Sequence, residues 1–392
     1  MPSAVTPADA SATPIGIALK MKKFDKPVYV TMPTLAPLGE VDAYMEKIWA
    51  SGIMTHNGPL VQQFEREFSS WSGVEKTVAV CNGTLAIQLA LRALDLPPGG
   101  EIITTPFTFI ATISAILYEG YVPVFVDIDP ATLNLDPKRI EAAITDRTVA
   151  ILPVHVFGNP CDVMAIDAIA AKHGLKVVYD AAHAVGVTVN GKSIFTYGDV
   201  SATSFHATKL LNTSEGGGIF TKDIAIDERL RELRFFGYNA AKDVACIGTN
   251  AKMTEVNAAI GLANLRYLDT IIADRRLKYN AYKEILSTCP SLSFQQTDES
   301  CNCSYFPVVF DSEETLLKVD AALKTQNIFA RRYFWPSVNT YKSVCPDAAP
   351  CPISEDVANR ILCLPLYYSL LTEDVVSIAK NVNEIVGRLL RN

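Results

Sequence analysis

The chain has 392 residues, 49% of them hydrophobic, enough to bury a large core and to suggest one large and one smaller domain. Its 35 Lys and Arg against 42 Asp and Glu give a net charge of -7, which lacks the basic bias of a protein that lives on phosphate backbones and argues against a nucleic-acid partner. No run approaches the ~20 apolar residues of a membrane span, and nine cysteines in unlike contexts read as the reduced thiols of a cytosolic protein.

The opening segment Met1–Gly16 is rich in Ala, Ser, Thr and Pro, and it lacks the basic start and apolar block of a signal peptide. Residues 1–27 are therefore expected to be a flexible tail, with Met21 nearer the natural start and ordered sequence from about Val28. From Thr77 to Phe220, β-branched runs alternate with helical segments, the pattern of a mainly parallel sheet covered on both faces. Its expected strands are Thr77–Val80, Glu101–Thr104, Val122–Val126, Val149–Val154, Lys176–Tyr179 and Ser201–Phe205. Between two of them, Asp162 is placed to cap a helix whose Val163, Ile166, Ile169 and Ala170 share a face and which Gly174 stops. After about Arg266 the texture changes to a long charged helix, Tyr267–Leu286, an apolar strand, Tyr305–Phe310, and helices Ser312–Gln326 and Thr372–Leu390. The expected organisation is thus a large α/β domain over 28–266 and a small α+β domain over 267–392.

Three groups in this order can carry chemistry. Asn82-Gly83-Thr84 joins a strand directly to a helix, whose first N–H groups and positive dipole end suit a phosphate; an ordinary strand-to-helix turn explains the same residues. Asp180 ends an apolar run, so its carboxylate is expected at the carboxyl edge of a buried strand, where it needs a partner such as a protonated pyridine nitrogen. A cap for the next helix is the plain alternative. Lys209 follows another strand and precedes a Gly-rich stretch; an ordinary lysine, with a pKa of about 10.4, is protonated and must be depressed to act as a nucleophile. A lone lysine is usually a surface residue, and only the company of the other two groups gives it weight.

The residues Asn57-Gly-Pro, Asn82-Gly-Thr, Pro106-Phe-Thr-Phe-Ile-Ala-Thr, Pro153-Val-His-Val-Phe-Gly, Asp180-Ala-Ala-His, Ser204-Phe-His-Ala-Thr-Lys, Glu215-Gly-Gly and Asn250 with Lys252-Met-Thr-Glu resemble the DegT/DnrJ/EryC1/StrS aminotransferases. Each motif is weak, but their joint order from about Pro37 to the last helix is specific. The resemblance implies a fold-type I scaffold with a seven-stranded sheet, pyridoxal 5'-phosphate as cofactor, and a homodimer with shared active sites. Lys209 would hold the cofactor as a Schiff base and then move a proton. Gly83, Thr84 and Ser204 would hold the phosphate, joined by Asn250 of the neighbouring subunit. Phe109 would stack on the ring, Asp180 would pair with its nitrogen, and His183, where many relatives have Gln, would lie near its phenolic oxygen.

The same resemblance implies transfer of an amino group from L-glutamate to a nucleotide-linked keto sugar. The run Phe205–Gly217 and the segment Arg331-Arg-Tyr-Phe-Trp-Pro-Ser are similar to those of members that aminate a dTDP-linked 4-keto-6-deoxy sugar. Asn57, Tyr333 and Trp335 are the candidate substrate contacts, although aromatic residues beside Pro336 serve packing equally well. His155 and His206 read either as supports of the site or as satisfied core histidines. Cys301 and Cys303 flank Asn302 without a second Cys or His pair at zinc-like spacing, so both are read as loop residues and no metal is expected. The rival readings are another keto-sugar substrate, 3-keto or GDP- or UDP-linked, and a cofactor-binding regulator without turnover.

Overall fold

The computed structural model describes residues 21–391. Seven short strands form the central sheet: β1 (Val78–Val80), β2 (Glu101–Thr104), β3 (Val122–Phe125), β4 (Thr148–Leu152), β5 (Lys176–Asp180), β6 (Val200–Ser204) and β7 (Gly217–Phe220). Their order is β1-β7-β6-β5-β4-β2-β3, with β7 antiparallel to both neighbours and the other pairs parallel. Every residue of β1, β2, β6 and β7 is buried, as expected for a sheet covered on both faces.

The expected strands fall within two residues of these limits. β4 stops early because Pro153 has no N–H for the ladder, and Val154 retains only an isolated bridge to Asp180. The glycines that hide β7 in the sequence are what its packing requires: a Cβ at Gly217 would lie 2.6 Å from the Asn82 carbonyl oxygen. The helix over Val163–His173 has the expected cap, Asp162 accepting from the Ala165 amide at 3.0 Å, and ends at Gly174 with φ of 65°.

Beyond residue 267, strands Leu292–Phe294, Phe306–Phe310 and Ile361–Leu364 form a small antiparallel sheet. The helices Leu268–Leu286 and Thr372–Leu389 pack against each other and over it. In the last helix Val375, Ile378, Ala379, Val382, Ile385 and Val386 recur at helical spacing and all are buried, each larger aliphatic stabilising by about 1.5–3 kcal/mol.

The amino-terminal boundary requires a correction. Residues 22–27, expected to belong to a loose tail, are tied down: the Lys22 amide donates to Asn381 Oδ1 at 3.1 Å and the Phe24 amide to the Gln326 carbonyl at 3.0 Å. Val28–Tyr29 pairs in parallel with Ile328–Phe329, so this stretch belongs to the small domain and not to the large one. Buried Phe24 and Val28, packed with Tyr279, Phe306 and Ile328, supply the reason. The remainder of the expected tail, residues 1–20, lies outside the described residues.

Candidate active site

Most of the expected site residues gather at the carboxyl edge of the central sheet. Asn82 ends the turn after β1 and its Oδ1 accepts the Leu85 amide at 2.8 Å, capping the helix Gly83–Ala93. The amides of Gly83 and Thr84 lie in the first turn, where no helical carbonyl satisfies them. A Cβ at Gly83 would stand 2.8 Å from the Ser204 Cβ, so glycine alone lets the helix start reach the end of β6. Helix dipole, free amides and the Ser204 hydroxyl together form a cradle for a doubly charged phosphate.

Asp180, the last residue of β5, is buried; its Oδ2 accepts from Thr112 Oγ1 at 2.7 Å and its Oδ1 from the Ala182 amide at 3.0 Å. Burial raises its pKa, and these two donors together with the Lys209 charge oppose the rise. His183 accepts the Phe157 amide on Nδ1 at 3.2 Å, and burial, with the nearby Lys209 charge, holds its pKa well below the usual value. A neutral imidazole that accepts on Nδ1 carries its hydrogen on Nε2, which makes His183 a donor. Lys209 follows β6 on a short turn. Its pKa is lowered to about 8, first by burial; Asp180 opposes the shift and Arg331 adds to it. Part of the population is therefore an unprotonated amine near neutral pH, the condition the sequence required of a nucleophile.

These groups open on one cavity of about 320 Å³, walled by Gly83, Thr84, Phe109, Asp180, His183, Ser204 and Lys209. Phe109, 57% exposed, projects from the start of the helix Ile110–Tyr118, where it is free to cover a planar ring. Tyr333 also lines the cavity. Trp335 does not; its indole donates to Asn359 Oδ1 at 3.1 Å beneath the Arg332 guanidinium. Asn57 faces Arg234, which donates to its Oδ1 at 3.3 Å, and Asn250 is exposed beside Lys252, so neither reaches the cavity of its own chain. His206 lines the cavity and bonds Thr208 Oγ1 at 2.9 Å, whereas His155 lies fully buried, stacked on Tyr179 with centroids 4.7 Å apart.

Among the wall residues to which the sequence reading gave no role are Thr112, Tyr305 and Arg331. Thr112 closes a quoted motif and Arg331 opens another, so their positions were legible while their roles were not. Tyr305 was absorbed into an apolar strand, and no local signal separates it from core.

A model of the DegT/DnrJ/EryC1/StrS aminotransferase family matches residues 39–383. The chain belongs to this family. Over 367 residues it is 42% identical to a dTDP-4-amino-4,6-dideoxy-D-glucose transaminase of Shigella dysenteriae, spanning 92% of this chain and all of that one. A transaminase of the same name from Escherichia coli is 38% identical over 366 residues, 91% of this chain and 98% of the relative. A crystal structure of DesI with its TDP-sugar product superposes with a TM-score of 0.88 at 35% identity, covering 94% and 96% of the two chains. As a member of this family, the chain is a pyridoxal-phosphate-dependent sugar aminotransferase. The cradle, the buried carboxylate, the exposed aromatic ring and the depressed amine fit the phosphate, ring nitrogen, ring face and aldehyde of that cofactor in turn.

Proposed function

We propose that the chain moves the amino group of L-glutamate to dTDP-4-keto-6-deoxy-D-glucose, giving dTDP-4-amino-4,6-dideoxy-D-glucose, and that it does so as a cytoplasmic homodimer that feeds O-antigen assembly. The observation that carries this reading is end-to-end similarity to a transaminase of that name, joined to a cavity that retains the amine, carboxylate and phosphate cradle. When bound, the cofactor supplies an aldehyde that condenses with amines and a ring that accepts electron density from the substrate carbon. Asp180 would pair with the ring nitrogen and keep it cationic, His183 Nε2–H would donate to the phenolic oxygen, and Phe109 would stack on the ring. Lys209 Nζ would hold the cofactor and, as a free amine, would take the α-proton of the donor and return it on the other side of the exchange. Arg331, 4.6 Å from the Tyr333 ring and without an acidic partner among the described residues, offers a guanidinium to the donor carboxylate; its neighbour Arg332 is already paired with Glu313 at 2.7 Å.

In that dimer Asn250, and with it the Asn57 loop, would face the partner's cavity. Both lie beside apolar side chains left exposed in the single chain, Ile53 and Met54 near one and Tyr238, Val244 and Ile247 near the other. Incubation with L-glutamate and dTDP-4-keto-6-deoxy-D-glucose, followed by NMR of the product, tests the function. An equatorial amine on carbon 4 is expected, and turnover only with a 3-keto, GDP-linked or UDP-linked sugar would replace the substrate assignment.

A further inference from the structure

Thr108 and Thr112 are both buried, Thr108 just before and Thr112 in the first turn of the helix Ile110–Tyr118, and their hydroxyl oxygens are 2.7 Å apart. Thr112 Oγ1 lies 2.7 Å from Asp180 Oδ2, a contact across 68 residues of sequence. An ionised carboxylate only accepts, so the Thr112 hydrogen must point to Asp180; its oxygen is then left to accept from Thr108. The direction of the chain is thereby fixed, Thr108 to Thr112 to Asp180. A threonine inside a helix can bond a carbonyl one turn back, whereas the Thr112 hydroxyl reaches across to the sheet edge.

We infer that Thr112, with Thr108 behind it, is a positioning residue that holds Asp180 ionised and aimed, and so sets the protonation of the cofactor ring nitrogen. Asp180 has no guanidinium or ammonium bonded to it among the described residues. The titratable groups about it are Lys209 after β6, neutral His183 after β5 and the Cys161 thiol, and of these only Lys209 is a cation. Two hydrogen bonds therefore do what an ion pair does elsewhere: the Ala182 amide holds one oxygen and Thr112 the other. Polarisation along the threonine pair strengthens the second of these. The same helix start carries Phe109, so a single turn holds both that ring and the donor to Asp180. This inference rests on the cofactor of the family and not on the identity of the sugar.

The test is the ¹⁵N resonance of ring-labelled pyridoxal phosphate bound to wild type, Thr112→Val, Thr112→Ser and Thr108→Val, followed with pH, together with the cofactor dissociation constant. For Thr112→Val the pH at which the ring nitrogen loses its proton should fall by about one unit, and the cofactor should bind about tenfold more weakly, the effect of one charge-assisted hydrogen bond. Thr112→Ser should restore both values, and Thr108→Val should shift them in the same direction by less. An unchanged ring-nitrogen midpoint in Thr112→Val overturns the inference, as does a midpoint that Ser fails to restore. If Thr112→Val does not fold, the Thr108→Val midpoint decides, and no shift there overturns the inference. A wild type that binds no cofactor would instead remove the aminotransferase reading itself.

Discussion

The side-chain amide of Asn302 donates to the backbone oxygens of His183 at 2.7 Å and Val185 at 2.8 Å, fastening a loop of the small domain to the turn that carries the imidazole. Asn302 Oδ1 in turn accepts the Ser304 amide at 3.0 Å, and the Ser304 hydroxyl donates to the same His183 oxygen at 2.9 Å. Replacing Asn302 by Leu leaves two buried carbonyls without this donor, at a cost of about 2–4 kcal/mol. Urea denaturation should show that loss, and the absorption band of the bound cofactor should move as His183 shifts. A stability within 0.5 kcal/mol of wild type, about the scatter of ordinary surface substitutions, would mean the loop is not a fastening.

Gly83→Ala places a methyl group against Ser204 at the phosphate cradle. The helix itself should gain slightly, since alanine is the better helix former, while cofactor affinity should fall at least about tenfold as the helix start backs away from β6. Spectral titration of the cofactor-free protein measures the second effect and thermal melting the first.

The depressed lysine has a consequence for stability with a definite sign. Lys209 titrates at about 8 in the folded protein against an ordinary 10.5, so between those values the unfolded chain holds a proton that the fold has released. Raising the pH through this window should therefore stabilise the cofactor-free protein, and below about 8 the full cost of the buried ammonium remains. Lys209→Met should flatten the difference in urea midpoint between the two ends of the window; the same variant should not retain the cofactor after borohydride reduction.

Arg331→Ala should act in two ways that separate experimentally. Conversion of the bound cofactor by L-glutamate in a single turnover should slow by about tenfold or more, as expected when a carboxylate loses its guanidinium, and the Lys209 pKa should rise because a neighbouring positive charge is gone. A normal glutamate half reaction would assign Arg331 to the sugar nucleotide.

The proposed sharing of sites between two subunits is open to complementation. Lys209→Ala and Asn250→Ala homodimers should each be impaired, and mixing them under exchange conditions should restore activity, because one hybrid site carries both native residues. If the mixture stays at the level of its parents, Asn250 serves its own chain.

Much of this architecture was legible in the sequence. Period, capping and glycine stops located the strands from Val78 to Ser204, and the sequential order of Gly83, Asp180 and Lys209 placed the three main groups on one sheet edge. What escaped was set by tertiary contact. Gly217 and Gly218 stand in the sequence only as part of a Gly-rich stretch, because only the nearness of Asn82 and Phe205 makes glycine necessary there. The strand Ile361–Leu364 is a short apolar run that could belong to a helix, and its pairing with Phe306–Phe310 alone decides it. Thr112 looks like any buried helical threonine until Asp180 is seen above it.

The pairing of Val28–Tyr29 with Ile328–Phe329 changes how the two halves are joined. The polypeptide leaves the small domain after Val30, whose carbonyl accepts the Leu366 amide, and reaches the large one by Thr34, whose carbonyl accepts from Asn212 Nδ2 at 2.8 Å. It returns near Tyr267. Two covalent crossings therefore join the halves, and a protease nick at the second should leave pieces that co-migrate until denaturant separates them.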